Sequence, residues 1–169
     1  CFVCHSKNNI YDNGKNLNKI KNLISYEKKI KVKKSNIYHK FSKNIEYIKK
    51  KINSKIDLIL KKKKKIYVLG ASTKGNTILQ FLDIDNRKIP YAIERNKEKI
   101  GAQTIGSNIR IIGEKFAKNL EPEYKLVLPW HFKKEIITRE LLFLKGGGKL
   151  IFPLPNLVII NKKNFKYYV

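Results

Sequence analysis

Methionine is missing from all 169 residues, even from the first position, where Cys1-Phe2-Val3 stands instead. Such a start predicts a piece of a longer polypeptide. Cysteine is limited to Cys1 and Cys4, so there is no disulfide framework, and a four-ligand structural zinc site would lack its second pair. No apolar run approaches the ~18 residues that span a bilayer. No signal-peptide pattern opens the chain. The default expectation is a cytoplasmic protein with no membrane partner. Acids are scarce, 13 Asp and Glu against 38 Lys and Arg, giving a net charge of +25. Arginine is scarcer still, with Arg87, Arg95, Arg110 and Arg139 alone. Phosphate and base recognition leans on arginine forks, so a specific nucleic-acid partner is not expected. The 34 lysines come with 25 isoleucines and 17 asparagines, all residues of A/T-rich codons. Coding bias therefore accounts for much of the charge, and the rest is a solvated face.

What is present suits one folded domain with a core: 42% hydrophobic and 30% charged residues. Cys1-Phe2-Val3-Cys4-His5 has the C-x-x-C-H spacing of c-type haem attachment. That chemistry needs export and a second axial ligand, and without methionine only His39 or His131 is left. The plainer reading is the end of a truncated strand with structural thiols.

Residues 6–16 are polar and read as a loop. A short helix is predicted from about Leu17 to Lys29. Ile37, Phe41, Ile45, Ile48, Ile52, Ile56 and Ile59 then follow at spacings of 4, 4, 3, 4, 4 and 3, a helical stripe that must lie on another surface. Its N-cap is Ser35 or Asn36. After Lys61–Lys65 the pattern changes to strands alternating with helices. Strands are predicted at Ile66–Leu69, Tyr91–Glu94, Ile109–Ile112, Tyr124–Leu128 and Lys149–Phe152. Helices fall around Ile78–Leu82, at Glu114–Asn119 and at Phe132–Leu144. This order implies a parallel sheet, hence a small Rossmann-like α/β domain preceded by a helical connector. The divisions are 1–5, the end of an upstream domain; 6–64, loop and connector; 65–160, the α/β domain; and 161–169, a tail.

In such a sheet the loop after the first strand presents backbone N–H groups and a helix N-terminus to anions. Gly70-Ala71-Ser72-Thr73-Lys74-Gly75 holds that position. It departs from the dinucleotide fingerprint because Ser72 replaces the middle glycine. It is no Walker loop either, since Lys74 precedes the second glycine. Two readings follow: a phosphate or hydroxyl held by Ser72, Thr73 or Lys74, or a tight turn whose glycines serve helix–strand packing. Glu94 ends the second strand, where an acid often meets ribose hydroxyls. Trp130 and His131 follow the Tyr124–Leu128 strand, at the edge where ligands dock, and read as ligand contacts or as core aromatics. Tyr91 and Tyr124 read as packing residues.

These blocks carry a specific likeness. Gly70 to Thr77 with Leu79-Gln80, Pro90 to Asn96, Lys99 with Gly101, Gly106, Leu128 to Phe132 and Gly147 to Pro155 resemble, in one order, the C-terminal domain of the sugar C-methyltransferases. The resemblance implies an N-terminal zinc domain, a central S-adenosylmethionine domain and this Rossmann-like domain. It implies C-methylation of a nucleotide-linked deoxysugar, commonly at C3 of a 4-keto sugar after base-catalysed enolisation. The nucleotide-diphosphate sugar would lie between the central and C-terminal domains. S-adenosylmethionine, the zinc cysteines and the catalytic base belong to upstream parts, so this chain alone should be inactive and bind no metal. Where the family has Asp, this chain has Glu94. The candidate substrate contacts are Ser72, Thr73, Lys74, Asn76, Glu94 and His131, with Gly70 and Gly75 shaping the loop. The rivals are a stand-alone binding module without catalysis and a basic nucleic-acid-binding protein.

Overall fold

The computed structural model describes His5 and residues 15–169, the side chain of Lys15 excepted. The readings made of Cys1 and Cys4, and of the loop at 6–14, lie outside the described residues. The chain divides into two compact units, Cys1–Ile45 and Glu46–Val169.

In the first unit, α1 (Lys15–Lys29) is followed by a turn in which Lys31 has φ 56°, and then by the start of α2 (Ser35–Lys61). Leu17, Ile20, Leu23 and Ile24 make one apolar side of α1, and each is about half exposed.

The second unit opens with the rest of α2. The predicted stripe is buried only here: Ile52, Ile56 and Ile59 are sealed in the core, whereas Phe41 of the first unit is 64% exposed. After α2 come β1 (Ile66–Leu69), α3 (Thr73–Phe81), β2 (Tyr91–Glu94), β3 (Arg110–Gly113), α4 (Glu114–Asn119) and β4 (Tyr124–Val127). Then follow α5 (Lys133–Arg139), α6 (Leu141–Lys145), β5 (Lys149–Phe152) and β6 (Val158–Ile160). The sheet runs β3-β2-β1-β4-β5-β6, parallel through β5, with β6 antiparallel. This is a Rossmann-like α/β fold, as predicted. Its strand order reverses between β1 and β4, the point where open α/β sheets bind ligands beyond their strand ends.

Strand side chains alternate between two cores, as the pleat requires. Ile66 and Val68 join α2 and α3 on one face, and Tyr67 and Leu69 join α4, α5 and α6 on the other. Both faces being covered explains why the parallel strands read as continuous apolar runs.

Two elements differ from the sequence reading. The single helix expected at Phe132–Leu144 is a 3-10 turn (Trp130–Phe132) followed by α5 and α6, broken at Glu140. Glu140 is buried and paired with Lys125 of β4 at 2.6 Å, a long-range contact that periodicity cannot show. The strand β6 was not foreseen, because Pro153 reads as the end of the strand before it. Beyond it, Phe165 and Tyr168 pack on the second core, and the Lys133 ammonium lies over the rings of Phe152 (5.3 Å) and Tyr168 (5.6 Å).

Candidate functional site

The site is assembled where β1, β2 and β4 end. Gly70 leaves β1 at φ +90°, a conformation that side chains rarely adopt, and its N–H donates to the Ile93 carbonyl at 2.9 Å. A Cβ on Gly70 would stand 2.9 Å from Pro129 Cδ, and one on Gly75 would stand 2.8 Å from Leu128 Cδ1. These two glycines let the loop after β1 settle directly on the segment after β4. The packing reading of the glycines is thus satisfied, and it brings the two candidate loops side by side.

Ser72 is the N-cap of α3. Its backbone is extended (φ −109°, ψ 161°) and its Oγ accepts from the Gly75 N–H at 3.1 Å. The middle position of the motif therefore carries a hydroxyl that satisfies the helix itself. Thr73 and Lys74 follow in the first turn with exposed side chains, and the Thr73 carbonyl accepts from Thr77 Oγ1 at 3.4 Å. Asn76 lies further into α3, where its Oδ1 is buried and finds no partner among the described residues.

Glu94 is the most heavily engaged of the predicted residues. One carboxylate oxygen accepts from the Ala71 N–H (2.9 Å), and the other accepts from the N–H groups of Arg95 (2.8 Å) and Asn96 (3.1 Å). Burial alone would raise its pKa. The Ala71, Asn96 and Arg95 N–H groups and the nearby Lys99 charge outweigh burial and hold the carboxyl below the ordinary glutamate range. Lys99 donates from Nζ to the Ala71 carbonyl at 2.9 Å, so both polar groups of Ala71 are held from the β2 side. Lys99 was read only as part of the family likeness. Nothing local distinguishes it from the other lysines, and its role depends on the fold bringing residue 71 to it.

After β4, Pro129 leads into the turn of Trp130, His131 and Phe132. Trp130 is half-buried against the second core, whereas His131 and Phe132 are exposed. The His131 ring meets Trp130 edge-on at 5.8 Å and lies tilted over Phe132 at 4.3 Å. No hydrogen bond among the described residues joins His131 to Ser72, Lys74 or Glu94. The fold thus brings Gly70, Ser72, Gly75 and Glu94 to one edge, with Ser72 capping Gly75 and Glu94 bonded to Ala71 between them, and sets His131 on the neighbouring strand end.

A separate groove of about 660 Å³ runs under α4 and α6 toward the starts of β1, β4 and β5, and is lined by Lys65, Lys125, Arg139, Glu140, Leu142 and Phe143 among others. Ligands in parallel sheets dock at the carboxyl ends, so the candidate site remains the β1–β4 edge. Among the described residues no three His, Cys, Asp or Glu side chains are grouped to hold a metal, and no helix is long and apolar enough to cross a membrane.

Residues 1–155 match the profile of the C-methyltransferase C-terminal domain family. Over 127 residues the chain is 28% identical to the C-methyltransferase NovU of Streptomyces niveus, a match covering 75% of this chain and 30% of that protein. The chain thus spans less than a third of that curated relative's length.

Proposed function

The chain belongs to the C-methyltransferase C-terminal domain family, and from that premise we propose that it holds a nucleotide-diphosphate sugar for methylation at carbon, acting on a deoxysugar at C3 of a 4-keto form. The observation that carries this reading is the junction of two loops at the sheet's carboxyl edge. The capped start of α3 with Lys74 lies on the segment that bears Trp130 and His131, through the Gly70–Pro129 contact. The Lys74 ammonium and the backbone N–H groups of Thr73 and Lys74, ahead of the capped Gly75, offer donors to a diphosphate. The ring surfaces of His131 and Phe132 offer an apolar face to a base or sugar.

S-adenosylmethionine does not fit the described residues. The acid at the end of β2, where an adenosyl ribose would meet it, already accepts three backbone N–H bonds. We therefore assign the methyl donor, the catalytic base and any zinc to a partner methyltransferase domain outside this chain. The chain's own part is to bind and orient the sugar nucleotide, and alone it transfers no methyl group. The working compartment is the cytoplasm, where nucleotide-activated substrates are made.

Trp130 is the only tryptophan, so its fluorescence reports on this edge without a label. Titration with a thymidine diphosphate-sugar should change that emission saturably, and His131→Ala should weaken the response. An emission unmoved at millimolar ligand, in protein shown to be folded, would count against the site.

A further inference from the structure

The carboxyl edge of the sheet has two halves around β1, one toward β2 and one toward β4. In an open dinucleotide-binding sheet the β2 half receives a ribose, whose hydroxyls donate to the acid ending β2. Here that acid is turned inward. Glu94 grips Ala71 N–H with one oxygen and the Arg95 and Asn96 N–H groups with the other. An ionised carboxylate has about four acceptor positions, so three internal bonds leave little for a ligand. Lys99 closes the arrangement from the same loop by donating to the Ala71 carbonyl. The ligand edge thus has a fixed negative group on its β2 side, pressed against the loop that would receive phosphate. On the β4 side the exposed rings of His131 and Phe132 follow the Pro129 that packs at Gly70, and among the described residues no acid is hydrogen-bonded to them.

We infer that Glu94 and Lys99 are specificity-determining residues that close the β1–β2 half of the edge to nucleotides, leaving the β1–β4 half as the entry for the sugar nucleotide. This rests on the proposed function for the identity of the ligand, but the lock itself is a property of the free chain. It also assigns Glu94 a different task from the sugar or ribose contact that its position suggests: the carboxylate acts on the loop and keeps a ribose out. The longer reach of Glu over Asp matters here, because the side chain must span from β2 to the backbone of the β1 loop.

Two measurements on the isotope-labelled chain test the lock by nuclear magnetic resonance. The first needs no ligand. Amide hydrogen exchange at Ala71 should accelerate about tenfold or more in Glu94→Gln and in Lys99→Met, as expected when a charge-assisted bond restraining a loop is lost. Exchange at Val68 and Leu126, deep in the central strands, should stay unchanged. Lys99→Met keeps the length of the side chain, so it remains informative if Glu94→Gln folds poorly. Unchanged Ala71 exchange in Lys99→Met would overturn the lock. The second adds adenosine diphosphate and, separately, thymidine diphosphate to the wild-type chain. Shifts are expected at residues 130–132 and not at 94–99. Shifts centred on 94–99 with either nucleotide would overturn the lock. Absence of shifts anywhere would overturn the proposed ligand while leaving the lock to be judged by exchange.

Discussion

Ser72 shows how one side chain can decide what a loop does. Its hydroxyl occupies the Gly75 N–H, so Ser72→Ala should remove a helix cap and cost about 1 kcal/mol of folding stability, as measured by urea denaturation. Lys74, two positions on, is exposed and bonded to nothing in the cap, so Lys74→Ala should leave stability unchanged. It should weaken thymidine diphosphate-sugar binding about tenfold, the size of one charge-assisted hydrogen bond in a partly wet site, and calorimetric titration checks it. Glu94 adds a pH dependence whose sign is fixed. Its folded pKa is depressed, so its contribution is complete above the unfolded glutamate value of about 4.3 and fades as pH falls through the lower folded value. Acid unfolding of Glu94→Gln should therefore lack part of the slope seen in the wild type below pH 4.3. At this scale the sequence was only half legible. The departure of Ser72 from glycine could be read directly, but the bonds of Glu94 and Lys99 to Ala71 span 23 and 28 residues and only the fold makes them.

Among the elements, α2 gives the sharpest contrast. Its stripe is regular from Ile37 to Ile59, yet burial is complete only over Ile52, Ile56 and Ile59. Spacing reports which side of a helix is apolar and says nothing about how much of that side is covered. Ile56→Ala should cost about 2–5 kcal/mol through lost burial and the cavity left behind, whereas Phe41→Ala should stay within about 0.5 kcal/mol. Thermal and urea unfolding of the two variants would check both values. The strands of the parallel sheet were legible because each is a short apolar run ended by Gly, Pro or an acid. The break between α5 and α6 was not, since it falls at Glu140, which is buried against Lys125 from another strand. The antiparallel β6 was hidden by the prolines before it, which end one strand and equally well open the turn to the next.

For the molecule as a whole, charge and topology point in different directions, and the proposed function rests on topology. The surplus is steepest at residues 1–65, with 20 lysines and 4 acids, and most of those lysines lie along α1 and α2. Binding to duplex DNA should be weak, indifferent to sequence, and lost steeply between about 50 and 200 mM salt through counterion release. Sequence-selective sub-micromolar binding at the higher salt would restore the nucleic-acid reading. The sheet order, by contrast, sets two loops on one edge, the edge at which we propose that the sugar nucleotide is held. The direct measurement of that claim is calorimetric titration of the folded chain with a thymidine diphosphate-sugar and, separately, with S-adenosylmethionine. The account predicts saturable heat with the sugar nucleotide and none with the methyl donor; saturable binding of S-adenosylmethionine with none of the sugar nucleotide would contradict it.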